Sequence, residues 1–237
     1  MAGETLKSMA ICLKIVPWSQ TSHIVSWLTP TGRVNTVVKG AVRPKSAFLG
    51  QYDLNYTCEI VYYARGWGEL RALRECSPLT MRQELRQDLH SLVLSDRFRH
   101  LADILSPNGQ ECKAWYDLLS DALDSLCINL QKTYESRTNP CAFLLNYELE
   151  TLKLLGQSPE ITFQAGMFAL RGERKLPLSL EIARCLAAPL EEKNIQILFD
   201  AARVIGVYYA FHVENAVSGR RQILQMISKL AQRTIKG

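Results

Sequence analysis

SHIVSWLTPTGRVNTVVKG, residues 22–40, holds two runs of β-branched and aromatic residues on either side of Thr31-Gly32. Such runs favour extended backbone and a Thr-Gly pair between them favours a tight turn, so the stretch predicts a β-hairpin. Upstream, Met9 to Val16 is a further β-capable run. Downstream, DLNYTCEIVYY (53–63) alternates Leu54, Tyr56, Cys58, Ile60 and Tyr62 onto one face. Gly66 and Gly68 then flank Trp67 at a second hairpin, and ELRALREC (69–76) follows. Five short strands interrupted by one longer loop, Gly40 to Gly50, predict a small closed barrel of the oligonucleotide-binding type, since a sandwich normally needs more strands. Trp27 and Tyr56, at alternating strand positions, are expected in its core.

Beyond Pro78 the apolar period changes from two to about 3.6. Leu85, Leu89, Leu92, Val93, Leu101, Ile104 and Leu105 recur at helical spacing up to a stop at Ser106-Pro107-Asn108-Gly109. Trp115 to Leu130 forms a second amphipathic stretch, and Asn139-Pro140 caps a third that ends at Gly156. Residues 157–177, with Pro159, Gly166, Gly172 and Pro177, read as irregular, whereas 179–187, 193–214 and 218–234 are helical. The expected class is α+β: an oligonucleotide-binding barrel over residues 1–79, then an all-α domain over 80–237.

Charge is unevenly spread. The chain carries 28 Lys+Arg against 23 Asp+Glu over 237 residues. No acid occurs between Glu4 and Asp53, while Lys7, Lys14, Arg33, Lys39, Arg43 and Lys45 supply six cations there. A surface built that way attracts phosphate and points toward nucleic acid or an anionic membrane surface. In KGAVRPKS (39–46), glycine and proline restrain the backbone, displaying Lys39, Arg43 and Lys45 outward as the principal phosphate-binding candidates. Lys14 and Arg33 are secondary candidates from the strands. Trp18, Phe48 and Tyr52 flank the basic segments and are candidates for base stacking. Arg220 and Arg221 open the last helix, where a cation opposes the helix dipole. That placement favours an external partner, DNA or an acidic peptide, as against an ion pair inside the fold.

Chemical motifs are missing. There is no P-loop, no G-x-G-x-x-G, no H-E-x-x-H and no G-x-S-x-G, and the four histidines are far apart in sequence. A binding protein rather than an enzyme is expected, with no cofactor. The seven cysteines form no C-x-x-C pair and are expected to be reduced and mostly buried, holding no metal. No apolar run of about 18 residues and no secretory leader is present, so a cytoplasmic protein with no membrane span is expected.

VPWSQTSHIVSWLTPTGRVNTVVKGAVRPKS (16–46), the E-L-x-x-L-x-L-L-G helix at 148–156 and the closing YYAFHVENAVSGRRQIL (208–224) together resemble the RecO family of bacterial DNA recombination and repair proteins. The resemblance implies an N-terminal barrel, a helical C-terminal domain, and binding of single- and double-stranded DNA without sequence preference. It further implies annealing of strands coated by the single-stranded DNA-binding protein, engagement of that protein's acidic C-terminal tail, and cooperation with RecR in loading RecA at the nucleoid. Lys39, Arg43 and Lys45 match the family's basic loop, and Arg220 and Arg221 its basic pair. Many members carry a four-cysteine zinc motif after the L-L-G helix, but residues 157–178 contain no cysteine. Packing is expected to hold that segment instead. Two alternatives stay open: an adaptor that tethers repair factors to coated DNA with only weak DNA contact, and an RNA-binding barrel.

Overall fold

The structure is a computed structural model that describes residues 4–67, 69–107, 112–164, 167–170, 176–213 and 218–234. The side chains of residues 66 and 67 lie outside those described, as do the Asn108-Gly109 stop and Gly166 and Gly172. Strands β1 (Thr5–Pro17), β2 (His23–Thr29), β3 (Gly32–Val38), β4 (Thr57–Trp67) and β5 (Leu70–Thr80) close into a barrel in the order β1-β2-β3-β5-β4. The predicted hairpin is β2–β3, with Trp27 opposite Val34 and Thr29 opposite Gly32. Gly32 sits at φ 143°, a region that side-chain-bearing residues avoid. The other ladders are antiparallel, but β3 and β5 run parallel from Asn35/Leu70 to Val37/Ala72 and complete the closure.

Alternation fills the interior: Cys12, Val25, Trp27, Cys58 and Ile60 are fully buried and Tyr56 nearly so. Trp27 Nε1 donates to Thr36 Oγ1 at 2.8 Å, which satisfies the indole's polar end inside an apolar core. Strand β1 breaks the alternation once. Cys12 faces the core, and strict period two would send Lys14 in after it. A bulge between Cys12 and Lys14 instead turns Ile15 onto the core and leaves Lys14 exposed.

The chain divides into two compact units. The first joins the barrel to Arg97–Ser125. Here Arg82 donates to Asp124 Oδ1 at 2.7 Å, the Asn55 carbonyl at 2.9 Å, Thr57 Oγ1 at 2.8 Å and Ser120 Oγ at 3.1 Å. These bonds tie helix α2 (Lys113–Gln131) to the barrel within that unit. The second unit takes Leu85–Asp96, and so the start of α1 (Leu89–Leu105), and the chain from Leu126 onward. Its helices are α3 (Pro140–Leu154), α4 (Leu180–Ala187), α5 (Ile195–His212) and α6 (Arg220–Thr234), with α3 packed on α5 and α6 and α4 on α5. Asn139 caps α3 by accepting from Cys141 N at 2.8 Å, with Pro140 at the first helical position. Gly156, at φ 68°, ends it: Gly156 N donates to the Lys153 carbonyl at 3.0 Å and Gln157 N to that of Leu152 at 2.8 Å. This is the Schellman arrangement.

The irregular segment expected at 157–177 is a correction. It carries a three-stranded antiparallel sheet, β6 (Ile161–Gln164), β7 (Met167–Leu170) and β8 (Leu176–Leu178). Strands of three or four residues, the last with Pro177 inside it, are too short to display an alternation, and cross-strand pairing rather than local propensity specifies them. All seven cysteines are free, and all but Cys127 are buried. Among the described residues, no helix is long and apolar enough to cross a membrane and no group of three or more His, Cys, Asp or Glu is placed to hold a metal ion.

Candidate nucleic-acid interface

Two connections meet at one end of the hairpin. The β1–β2 turn closes when Trp18 N and Ser19 N both donate to the Ser22 carbonyl, at 2.8 and 3.3 Å. The loop after β3 begins with Gly40 in the left-handed region, at φ 66°. It continues as successive short turns: Arg43 N donates to Gly40 O at 3.1 Å, Ser46 N to Arg43 O at 2.9 Å and Leu49 N to Ser46 O at 3.3 Å. The two connections are bonded to each other, since Gly40 N donates to Ser22 Oγ at 3.2 Å and Val42 N to the Thr21 carbonyl at 3.3 Å.

Between them lies a cleft of about 470 Å³ lined by Trp18, Ser19, Thr21 and Ser22 from the turn and by Val37, Lys39, Gly40 and Arg43 from β3 and the loop. No acid lines it. The structure thus brings together three residues singled out in the sequence, Trp18, Lys39 and Arg43, and adds three hydroxyls. The sequence signal for those hydroxyls was the Ser19-Gln20-Thr21-Ser22 run between two strands, read only as a connection. Lys45 is exposed farther along the same loop. Ammonium, guanidinium and hydroxyl groups around an acid-free cleft donate hydrogen bonds to phosphate oxygens.

Other candidates sit differently. Lys14 is exposed through the bulge in β1. Arg33 Nη1 donates to the Asp103 carbonyl and lies 3.4 Å from its carboxylate, so its charge is engaged inside the first unit. Phe48 and Tyr52 are half-buried, each with one side packed against the barrel core. Tyr52 meets the Trp27 ring edge-on at 5.9 Å and its hydroxyl shares a 2.8 Å hydrogen bond with His23 Nδ1. Burial, with the neighbouring thiols of Cys12 and Cys76 adding to it, pushes the phenol well above its ordinary range.

Arg220 is corrected as well. It is 4 % exposed and its guanidinium grips the fully buried Glu148, from Nε at 2.8 Å and from Nη2 at 2.7 Å, with Nη2 also donating to the Ala202 carbonyl at 2.7 Å. The ion pair inside the fold is the alternative that holds, because two charges buried together need each other. Arg221, one residue on, is exposed.

A closed five-stranded barrel of the oligonucleotide-binding type, with a cationic cleft at one end of its hairpin, defines an oligonucleotide-binding-fold protein. Residues 1–82 match the family model described as Recombination protein O N terminal. The chain is similar to the DNA repair protein RecO of Rhodopirellula baltica, 29 % identical over 175 residues, which is 73 % of this chain and 62 % of that one. It is similar also to the protein of that name from Moorella thermoacetica, 28 % identical over 64 % of this chain and 53 % of the relative, and from Salinibacter ruber, 26 % identical over 66 % and 58 %. The match over residues 1–82 and the resemblance to these relatives support a RecO-family protein. The match spans between half and two thirds of the length of these relatives.

Proposed function

We propose that this chain is a DNA repair and recombination mediator that binds single- and double-stranded DNA through phosphate, without reading bases in the grooves. The observation that carries the proposal is the exposed, acid-free cation set of Lys39 and Arg43 in the cleft and Lys45 beside it, on a RecO-family barrel. Lys14 and the exposed Arg221 are further candidate contacts. Phosphate contacts of this kind release counterions and are indifferent to sequence. Neutralising two strands together lowers their repulsion, so complementary bases pair without nucleotide hydrolysis. In the cytoplasm, at the nucleoid, the natural substrate is DNA coated by the single-stranded DNA-binding protein, whose acidic tail the chain engages, and RecR is the partner with which it loads RecA.

The test is the rate at which oligonucleotides precoated with single-stranded DNA-binding protein anneal without ATP, for the native chain and the Lys39→Ala/Arg43→Ala/Lys45→Ala variant. The native chain accelerates annealing and the variant does not. For single strands the log-log salt dependence of binding flattens by about two units in the variant, at roughly 0.7 per phosphate contact. An unchanged slope removes these residues as phosphate contacts, and annealing absent from the native chain while partner binding persists makes the chain an adaptor.

A further inference from the structure

Trp18 stands in the cleft wall with 62 % of its surface exposed, whereas Trp27 is wholly buried. A large apolar ring held in water at the mouth of a cationic cleft has no role in the barrel's packing. The backbone that carries it is nevertheless fixed. Trp18 N is bonded to the Ser22 carbonyl, and Ser22 Oγ accepts from Gly40 N, so the turn that carries the indole and the loop that carries Lys39 and Arg43 are one bonded unit. Gly40 also shapes the cationic side: a Cβ there would lie 3.2 Å from Arg43 Cδ, so the stem of Arg43 runs close against the glycine. The backbone that carries the indole, the hydroxyls and the two cations is therefore held in a set arrangement before any ligand arrives.

We propose that this cleft takes one unpaired nucleotide of single-stranded DNA, its base against the Trp18 indole and its phosphate against Lys39 and Arg43. The inference rests on the proposal that the basic loop binds DNA, and adds discrimination to it. Every base inside a duplex is already stacked on both faces and offers none to the indole, so a duplex engages the cations alone. An unpaired base gains the indole as well, an interaction that tolerates any sequence because every base has a π face. The volume of about 470 Å³ is that of a small-molecule site.

Tryptophan fluorescence and affinity of the full chain are measured at one salt concentration with a short oligothymidylate and with a blunt duplex of equal length. Oligothymidylate is expected to quench the native emission and duplex to leave it nearly unchanged. Trp18→Ala weakens oligothymidylate binding about fivefold or more and leaves duplex affinity unaltered. Trp18→Phe keeps most of the affinity, because a ring remains, but loses the quench. Equal binding of oligothymidylate by the native chain and Trp18→Ala, or equal quenching by both DNAs, overturns the inference while leaving the basic-loop proposal intact. Failure of the native chain to bind either DNA overturns both.

Discussion

Gly206 makes room for Arg220: a Cβ at position 206 would stand 2.3 Å from Arg220 Nη1, closer than two such atoms can approach. The guanidinium has nowhere to retreat, because Glu148 and the Ala202 carbonyl hold its other nitrogens. Gly206→Ala is therefore expected to destabilise the protein by about 1 to 3 kcal/mol, even though alanine is the better helix former by about 1 kcal/mol. Arg220→Ala strands a buried carboxylate and costs about 3 to 5 kcal/mol, whereas Arg220→Met with Glu148→Leu recovers most of that. Urea denaturation of the four proteins checks this, and a Gly206→Ala midpoint equal to the native one refutes the steric argument.

The hydrogen bond from Trp27 to Thr36 joins β2 to β3 inside the barrel. Thr36→Val keeps the shape and deletes the acceptor, leaving a wholly buried indole N–H without its partner. A loss of about 1 to 3 kcal/mol is expected in denaturant unfolding. Thr36→Ser, which restores the hydroxyl, should recover part of it.

Arg33 separates charge that holds the fold from charge that meets DNA. With its guanidinium against Asp103, Arg33→Ala is expected to lower stability by about 1 to 2 kcal/mol. The salt dependence of DNA binding should not change. A flattened slope in Arg33→Ala would place this residue among the phosphate contacts after all.

Two thiols of the second unit give the protein an alkaline limit. Burial pushes the Cys141 thiol up to about 12, with Glu148 adding to the shift and Arg220 opposing it, and burial pushes Cys185 up to about 11. Both stay protonated in the folded chain while the unfolded chain loses these protons near 9.0. Above that value the unfolded state binds fewer protons, so stability falls as pH rises from about 9 towards 11 and 12. Thermal midpoints across this window should decline, and less steeply in Cys141→Ala and Cys185→Ala. Equal slopes in all three proteins would show that the thiols do not contribute.

The barrel was readable because its strands are long enough to alternate: Tyr56, Cys58, Ile60 and Tyr62 point inward as their spacing requires. Asn139-Pro140 and Gly156 likewise announce the ends of α3 by chemistry that acts within a few residues. Features decided by distant partners were not readable. Period two alone would have turned Lys14 inward, and only the register of β1 against β2 reveals the bulge. Arg220 resembles Arg221 in sequence, and its fate depends on Glu148, 72 residues away. Phe48 and Tyr52 lie beside the cationic loop in sequence yet pack, half-buried, against the core in space. Of the cleft, the cations were visible as a cluster. Their meeting with Trp18 and three hydroxyls depends on bonds between two separate connections.

The successive short turns from Gly40 through Arg43 and Ser46 to Leu49 have a consequence for binding entropy. Each turn returns a backbone N–H to a carbonyl three residues earlier, so the segment that carries the cations is already ordered in the free chain. Fixing a flexible residue costs about 1 to 2 kcal/mol of conformational entropy, and a floppy basic loop would surrender that at each residue it pressed onto a phosphate backbone. Here most of that loss falls in folding, and a strand arriving at the loop meets charges whose spacing no longer has to be found.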